Sequence, residues 1–220
     1  MNDGISGELK RNPVVRADPL TFVVGLAGPK KVGKSTTAAA LKRALQHYAV
    51  PMEVRSFAGP LYESVSIVTG VPVEILRDQS VKDRPLTEQE TSNPCVLGKT
   101  PREILEWHGE GVRQFFGVDH WVHRAFNPLP KFLNGSEMPI TGVVVFDDAR
   151  HGPEFEATDV NFELMRAGLT YPCNHPSAMP PDPKYIEKTV HLDRWSPQEV
   201  GEHLAGLIID KIATKRRASC

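Results

Sequence analysis

Eight residues, Gly28-Pro29-Lys30-Lys31-Val32-Gly33-Lys34-Ser35, constrain this chain more than any others. They satisfy the spacing G-x-x-x-x-G-K-[ST] in full, between an apolar run (Leu20 to Ala27) and a helical stretch (Lys34 to His47). A loop of this kind turns several backbone N–H groups toward one point, and the helix behind it aims its positive dipole end there too. The glycines let main chain approach an anion with no side chain between. The expectation is a phosphate-binding loop in which Gly28, Lys31, Val32, Gly33, Lys34, Ser35 and Thr36 surround a nucleotide's phosphates. Lys34 would reach the β- and γ-phosphates and Ser35 would ligate Mg²⁺. The bland alternative is a glycine-rich turn beside a solvated lysine.

Elsewhere β-branched runs alternate with helical patterns. Strands are expected over Leu20–Ala27, Met52–Phe57, Ile140–Phe146, Asn161–Met165 and Thr189–Leu192. Helices are expected over Lys34–His47, Pro60–Thr69, Pro72–Leu76, Thr100–Phe116, Asp119–Phe126 and from Ser196 to about Ile212. Thr100 and Glu103 form a capping-box pair with Pro101 at the first helical position. Such alternation implies an α/β fold, a mostly parallel sheet with helices on both faces. The polar stretch Lys82–Gly98 and the proline-rich stretch Ala167–Pro183 read as loops, and either could close over a site. Residues 1–19 and 215–220 read as flexible tails around one domain spanning 20–214.

Composition narrows the partners. Lys+Arg 26 against Asp+Glu 27 leaves a net charge of −1, so no basic excess favours nucleic acid or a membrane surface. No apolar run approaches the ~20 residues of a membrane-spanning helix. Three cysteines at irregular spacing (Cys95, Cys173, Cys220) read as reduced thiols, which together with a polar amino end points to a cytoplasmic protein.

A phosphate loop alone implies a nucleoside triphosphate, not a reaction. No N-K-x-D guanine motif is present, and 220 residues suit a small-molecule kinase better than a multidomain motor. Transfer to a phosphate monoester needs cations more than a base, because the acceptor's second pKa of about 6 leaves it largely dianionic at neutral pH. Arginines on ordered elements are therefore the residues to find. Arg102 lies in the first turn of a helix, against the dipole, on a stripe with Glu106, Gly109 and Arg113. The opposite side carries Ile104, Leu105, Val112 and Phe115. This stripe would line a nucleotide pocket or simply face solvent. Ile140–Phe146 runs into Asp147-Asp148-Ala149-Arg150, where a carboxylate at a strand's carboxyl end suits a Mg²⁺ ligand or an acceptor contact. The alternative is a turn in which Asp148 caps a helix.

Taken in order, these segments resemble the deoxynucleoside monophosphate kinases of bacteriophages, within the P-loop NMP-kinase superfamily. The resemblance rests on Gly28 to Ser35, Phe57-Ala58-Gly59-Pro60-Leu61, Pro101-Arg102-Glu103-Ile104-Leu105, Trp121-Val122, and Asp148-Ala149-Arg150-His151-Gly152-Pro153-Glu154. It covers roughly residues 20–195 and departs at Gly59, where an acidic residue is expected. It implies an NMP-kinase-like fold: a five-stranded parallel sheet, a helical acceptor-binding insert (about 58–130) and a lid (about 167–187). It also implies ATP- and Mg²⁺-dependent conversion of dNMP to dNDP, in the host cytoplasm if phage-encoded, by a monomer or a homodimer. Carried over, Lys34, Arg102, Asp148 and Arg150 become catalytic candidates, with Ser35 and Asp148 at the metal. Phe57, Arg102, Glu106, Arg113, Trp121, Asp148, Arg150 and Glu154 become substrate-side candidates, although Trp121 would equally suit a buried structural position. Dephospho-coenzyme A kinase, or a non-catalytic ATP-binding switch, stays open beside this reading.

Overall fold

The computed structural model describes residues 20–129, 131–133, 141–171 and 179–218. They form two compact units: a sheet unit of residues 20–57 with 127–218, and a helical unit of residues 58–126.

In the sheet unit five strands lie in one parallel sheet, ordered β2-β3-β1-β4-β5. They are β1 (Thr21–Ala27), β2 (Met52–Arg55), β3 (Gly142–Phe146), β4 (Val160–Met165) and β5 (Lys188–His191). Every residue of β1 and β3 is buried, as expected of central strands covered on both faces, whereas the edge strands β2 and β5 are partly exposed. Helices α1 (Lys34–His47) and α7 (Pro197–Ala218) pack together, and Leu41, Leu45, Leu204 and Ile208 join Val24, Leu26, Val143 and Phe162 in the main core. A short helix, α6 (Gly152–Glu156), links β3 to β4.

The helical unit contains α2 (Gly59–Thr69), α3 (Val73–Arg77), α4 (Pro101–Phe116) and α5 (His120–Phe126). The capping box at α4 forms as expected: Glu103 N–H donates to Thr100 Oγ1 at 3.1 Å, and Thr100 N–H to Glu103 Oε2 at 2.8 Å. Val65, Val71, Leu76, Leu86, Ile104 and Leu105 form its core. The 82–98 stretch has no regular element but is stitched down. Leu86 is buried, its N–H donates to Lys99 C=O at 2.8 Å, and Asn93 Nδ2 donates to Thr69 C=O at 2.9 Å.

Three expectations need correcting. Residues 215–217 are not a loose tail: α7 runs on to Ala218, six residues past the expected end at Ile212. Lys215 Nζ donates to Asp159 Oδ1 at 2.9 Å and Arg216 reaches Thr141 Oγ1, while basic residues in a last turn suit the helix dipole. Phe115 belongs to no core, being 80% exposed beside Trp107 at 78%. The buried residues of α4 (Pro101, Ile104, Leu105 and Gly109) all lie in its first nine residues, and Phe115 stands in its last turn, past the part of the helix that reaches a core. Ser56 and Phe57 lie beyond the end of β2, and Ile140 lies outside the described residues. Cys95 is an exposed free thiol, whereas Cys173 and Cys220 lie outside the described residues, as do residues 172–178 of the proline-rich stretch. Among the described residues no helix is long and apolar enough to cross a membrane.

Two glycines of α7 separate packing from propensity. A Cβ on Gly201 would stand 2.6 Å from the Ala40 carbonyl carbon of α1, whereas one on Gly206 would meet nothing within 4 Å. Gly201→Ala is expected to destabilise the chain by about 1–3 kcal/mol, and Gly206→Ala to stabilise it by up to about 1 kcal/mol. Urea unfolding of both variants checks this, and equal effects would contradict the close helix–helix approach.

Candidate nucleotide site

The crevice opens where the chain leaves β1. Gly28 has φ +143°, and a Cβ there would lie 2.5 Å from Leu164 C=O, so only glycine lets the loop turn this close to β4. Gly33, at φ +113° and ψ +22°, precedes α1 in a left-handed conformation. Lys31 adopts φ +65°, which for a side-chain-bearing residue costs on the order of 1–3 kcal/mol. Val32 is fully buried in the main core and anchors the loop between these turns. The result is a tight main-chain cradle at the start of a 14-residue helix whose first N–H groups have no partner within the helix. That chemistry fits a polyphosphate.

Lys34 Nζ points back into the loop, donating to Gly28 C=O at 2.7 Å and Pro29 C=O at 3.0 Å. Burial pushes its pKa down to about 8, and the Arg150 guanidinium nearby pushes the same way, against the opposing pull of Asp147 and Asp148. Ser35 Oγ donates to Asp147 Oδ2 at 3.1 Å. Burial raises the Asp147 pKa, and the charge of Asp148 adds to the rise. Lys34, Ser35, Asp147 and Arg150 therefore meet at the carboxyl ends of the adjacent strands β1 and β3, where open α/β sheets place ligands.

The carboxylate beside Ser35 lies one residue earlier than expected. Asp148 faces away from Ser35: its carboxylate accepts from Ser56 Oγ at 2.5 Å and from Phe57 N–H at 2.7 Å. Asp147 and Asp148 stand in the turn directly after β3, and of the two it is Asp147 whose carboxylate bonds to Ser35. Asp148 instead pins the chain just before it leaves the sheet unit. Phe57 is 2% exposed and stacked on Phe146 with ring centroids 4.0 Å apart, which makes it core rather than a substrate contact. Glu154 is also structural, since its Oε2 accepts from Arg150 N–H at 2.6 Å and His151 N–H at 3.1 Å at the start of α6. His151, not Asp148, occupies the N-cap position there.

The remaining candidates lie in the helical unit. Arg102 is paired, its Nε 2.5 Å and its Nη2 3.3 Å from the two Asp83 oxygens, with Glu106 3.9 Å away. Arg113 stands 3.8 Å from Glu110. Trp121 is buried, and its Nε1–H donates to Gly109 C=O at 3.2 Å, the structural alternative for this residue.

Sequence reading did not single out a second feature of the sheet unit. A cavity of about 300 Å³ adjoins the loop, lined by Lys31, Gly33 and Thr36 together with Arg166, Leu192 and Trp195 from later in the chain. Arg166 follows the last residue of β4, and Trp195 stands between β5 and α7. Only the strand order shows that these termini border the phosphate loop. Among the described residues no group of three or more His, Cys, Asp or Glu could hold a metal by itself. Mg²⁺ has no need of such a cluster, because it keeps several waters and takes one or two carboxylates together with substrate phosphates. Ser35 and Asp147 fit that role. No protein-family model matches the chain, and no curated protein matches it.

Two outcomes follow from this geometry. Lys34 carries its charge fully below about pH 8 in the free protein and loses it above. Affinity for inorganic tripolyphosphate is therefore expected to fall as pH rises through about 8, and Lys34→Arg should remove that inflection, because guanidinium stays protonated. Calorimetric titration at several pH values checks it, and an unchanged profile in the variant would remove Lys34 as its source. Asp148→Ala should cost about 1–3 kcal/mol of stability by leaving Phe57 N–H without its acceptor. Asp147→Ala should cost clearly less in the same thermal or urea unfolding experiment.

Proposed function

We propose that this chain is an ATP- and Mg²⁺-dependent kinase that phosphorylates deoxynucleoside monophosphates to diphosphates. The observation that carries the proposal is the meeting of a glycine-cradled anion loop, Lys34, the Ser35–Asp147 pair and Arg150 at one end of the parallel sheet. Backbone N–H groups of the loop and the start of α1 would hold the triphosphate. Lys34 would exchange its two carbonyl partners for phosphate oxygens. Mg²⁺ held at Ser35 and Asp147 would neutralise charge on the β- and γ-phosphates. An acceptor phosphate oxygen forms a bond to the γ-phosphorus while the bond to the β–γ bridging oxygen breaks, releasing ADP. No proton need be removed from a dianionic acceptor, so the chain's task is positioning and charge stabilisation. Arg150 is the cation best placed for the charge in transit. The acceptor side rests on the resemblance of the Pro101-Arg102-Glu103 segment alone, with Arg102 exchanging Asp83 for a phosphate.

A second reading, a non-catalytic ATP switch, gains from one observation. Arg102 and Arg113 already have carboxylates of their own unit beside them, as in a self-sufficient charge network. Another small-molecule kinase, such as one acting on dephospho-coenzyme A, would use the same loop.

The deciding assay is ADP formation from ATP and Mg²⁺ across dNMPs, NMPs and dephospho-coenzyme A. Turnover should require a dNMP, vanish in Lys34→Ala, and fall by about 100-fold or more in Asp147→Asn. ATP binding that no acceptor converts into turnover would overturn the kinase and favour the switch.

A further inference from the structure

The cavity beside the phosphate loop carries information about the donor that the loop itself does not. At about 300 Å³ it lies at the lower bound of ligand pockets (~300–1,000 Å³), the size for a flat heterocycle rather than a whole nucleotide. It directly adjoins Lys31, Gly33 and Thr36, so a base attached to loop-bound phosphates has this cavity within reach. Two planar groups are among those that line it. The Trp195 indole is 41% exposed and backed by the His203 ring at 5.1 Å. The Arg166 guanidinium, whose Nη2 would stand 3.8 Å from a Cβ on Gly33, has no hydrogen bond or ion pair among the described residues. An unpaired guanidinium beside an anion loop is poised for a ligand, and both groups offer flat faces suited to stacking.

What the lining lacks is equally specific. Among the described residues neither a carboxylate nor a carboxamide side chain borders the cavity. Its polar side chains are Lys31 and Arg166, which only donate, and the hydroxyls of Thr36 and Thr37, which both donate and accept. A hydroxyl satisfies an exocyclic amino group or an oxo group alike, and donors alone cannot select adenine's amino group. Discrimination between bases normally needs a polar partner that the wrong base leaves unpaired. Face stacking, by contrast, is tolerant, because every base has a π-face.

We propose that this cavity takes the base of the phosphoryl donor by its faces, on Trp195 and Arg166, so that the chain accepts nucleoside triphosphates with little regard to base. This rests on the loop being a nucleotide site, as in the function proposed above, and it widens the donor from ATP to purine and pyrimidine triphosphates.

The test is binding, followed by calorimetry on the full chain with ATP, GTP, CTP and inorganic tripolyphosphate. ATP and GTP should bind within about 5-fold of each other, with CTP about 10-fold weaker because a pyrimidine stacks over less area. Trp195→Ala should weaken all three nucleotides by about 10-fold. It should leave tripolyphosphate unchanged, which also certifies that the variant is folded, and Trp195→Phe should restore most of the loss. ATP preferred over GTP by more than 100-fold, or nucleotide affinities indifferent to Trp195→Ala, overturns the proposal. The two readings separate cleanly. Tolerant, Trp195-dependent binding without dNMP-stimulated ADP formation sinks the kinase and leaves this inference standing. Strict ATP selectivity with dNMP-dependent turnover does the reverse.

Discussion

β1 is hydrogen-bonded on both sides, to β3 and to β4, and the organisation of the sheet unit depends on that double pairing. A strand with neighbours on both edges and cover on both faces must be apolar throughout, and Thr21–Ala27 is buried at every position. Its neighbours run parallel, so the carboxyl ends of all three come together at one side of the sheet. The loop after β1 has no room to spread, because Leu164 C=O stands where a Gly28 side chain would be. Tightness there makes the main-chain cradle in front of α1.

The same parallel geometry explains how two adjacent carboxylates do different work. Phe146 ends β3 buried against Phe57, and beyond it the chain presents Asp147 toward Ser35 and Asp148 toward Ser56. One carboxylate thus meets the serine that opens α1, and the other holds the fold. Lys34 sits under opposing influences: burial and Arg150 disfavour its charge, while both carboxylates favour it. A bound polyphosphate would add to the pull of the carboxylates and hold the ammonium to higher pH.

Much of this was legible in the sequence, for physical reasons. The octapeptide from Gly28 to Ser35 has an invariant local geometry, so the loop, α1 and the parallel sheet could be read from spacing and alternation. Thr100, Pro101 and Glu103 specify the start of α4 through contacts three residues apart, which is equally local. What escaped depends on distant partners. Asp147 and Asp148 cannot be told apart without knowing that β3 lies beside β1 in a given register. Phe57 and Glu154 matched a motif yet serve packing and capping, because a motif does not record which side of the chain faces the crevice. Arg166 and Trp195 come from segments 29 residues apart with no shared pattern, and only the pairing of β4 with β5 brings them to one cavity. The tail expectation failed at Lys215 because its partner, Asp159, is remote in sequence.

The close approach of Gly201 to Ala40 has a consequence in time rather than in space. The helix that begins at the phosphate loop is braced by α7, the last element to be synthesised among those described. β1 and the loop emerge from the ribosome first, with neither β3 and β4 beside them nor α7 behind α1. The cradle formed by residues 28–35 therefore gains its full support only after about 180 further residues have been made, and until then part of its apolar surroundings stands exposed to chaperones and to other nascent chains.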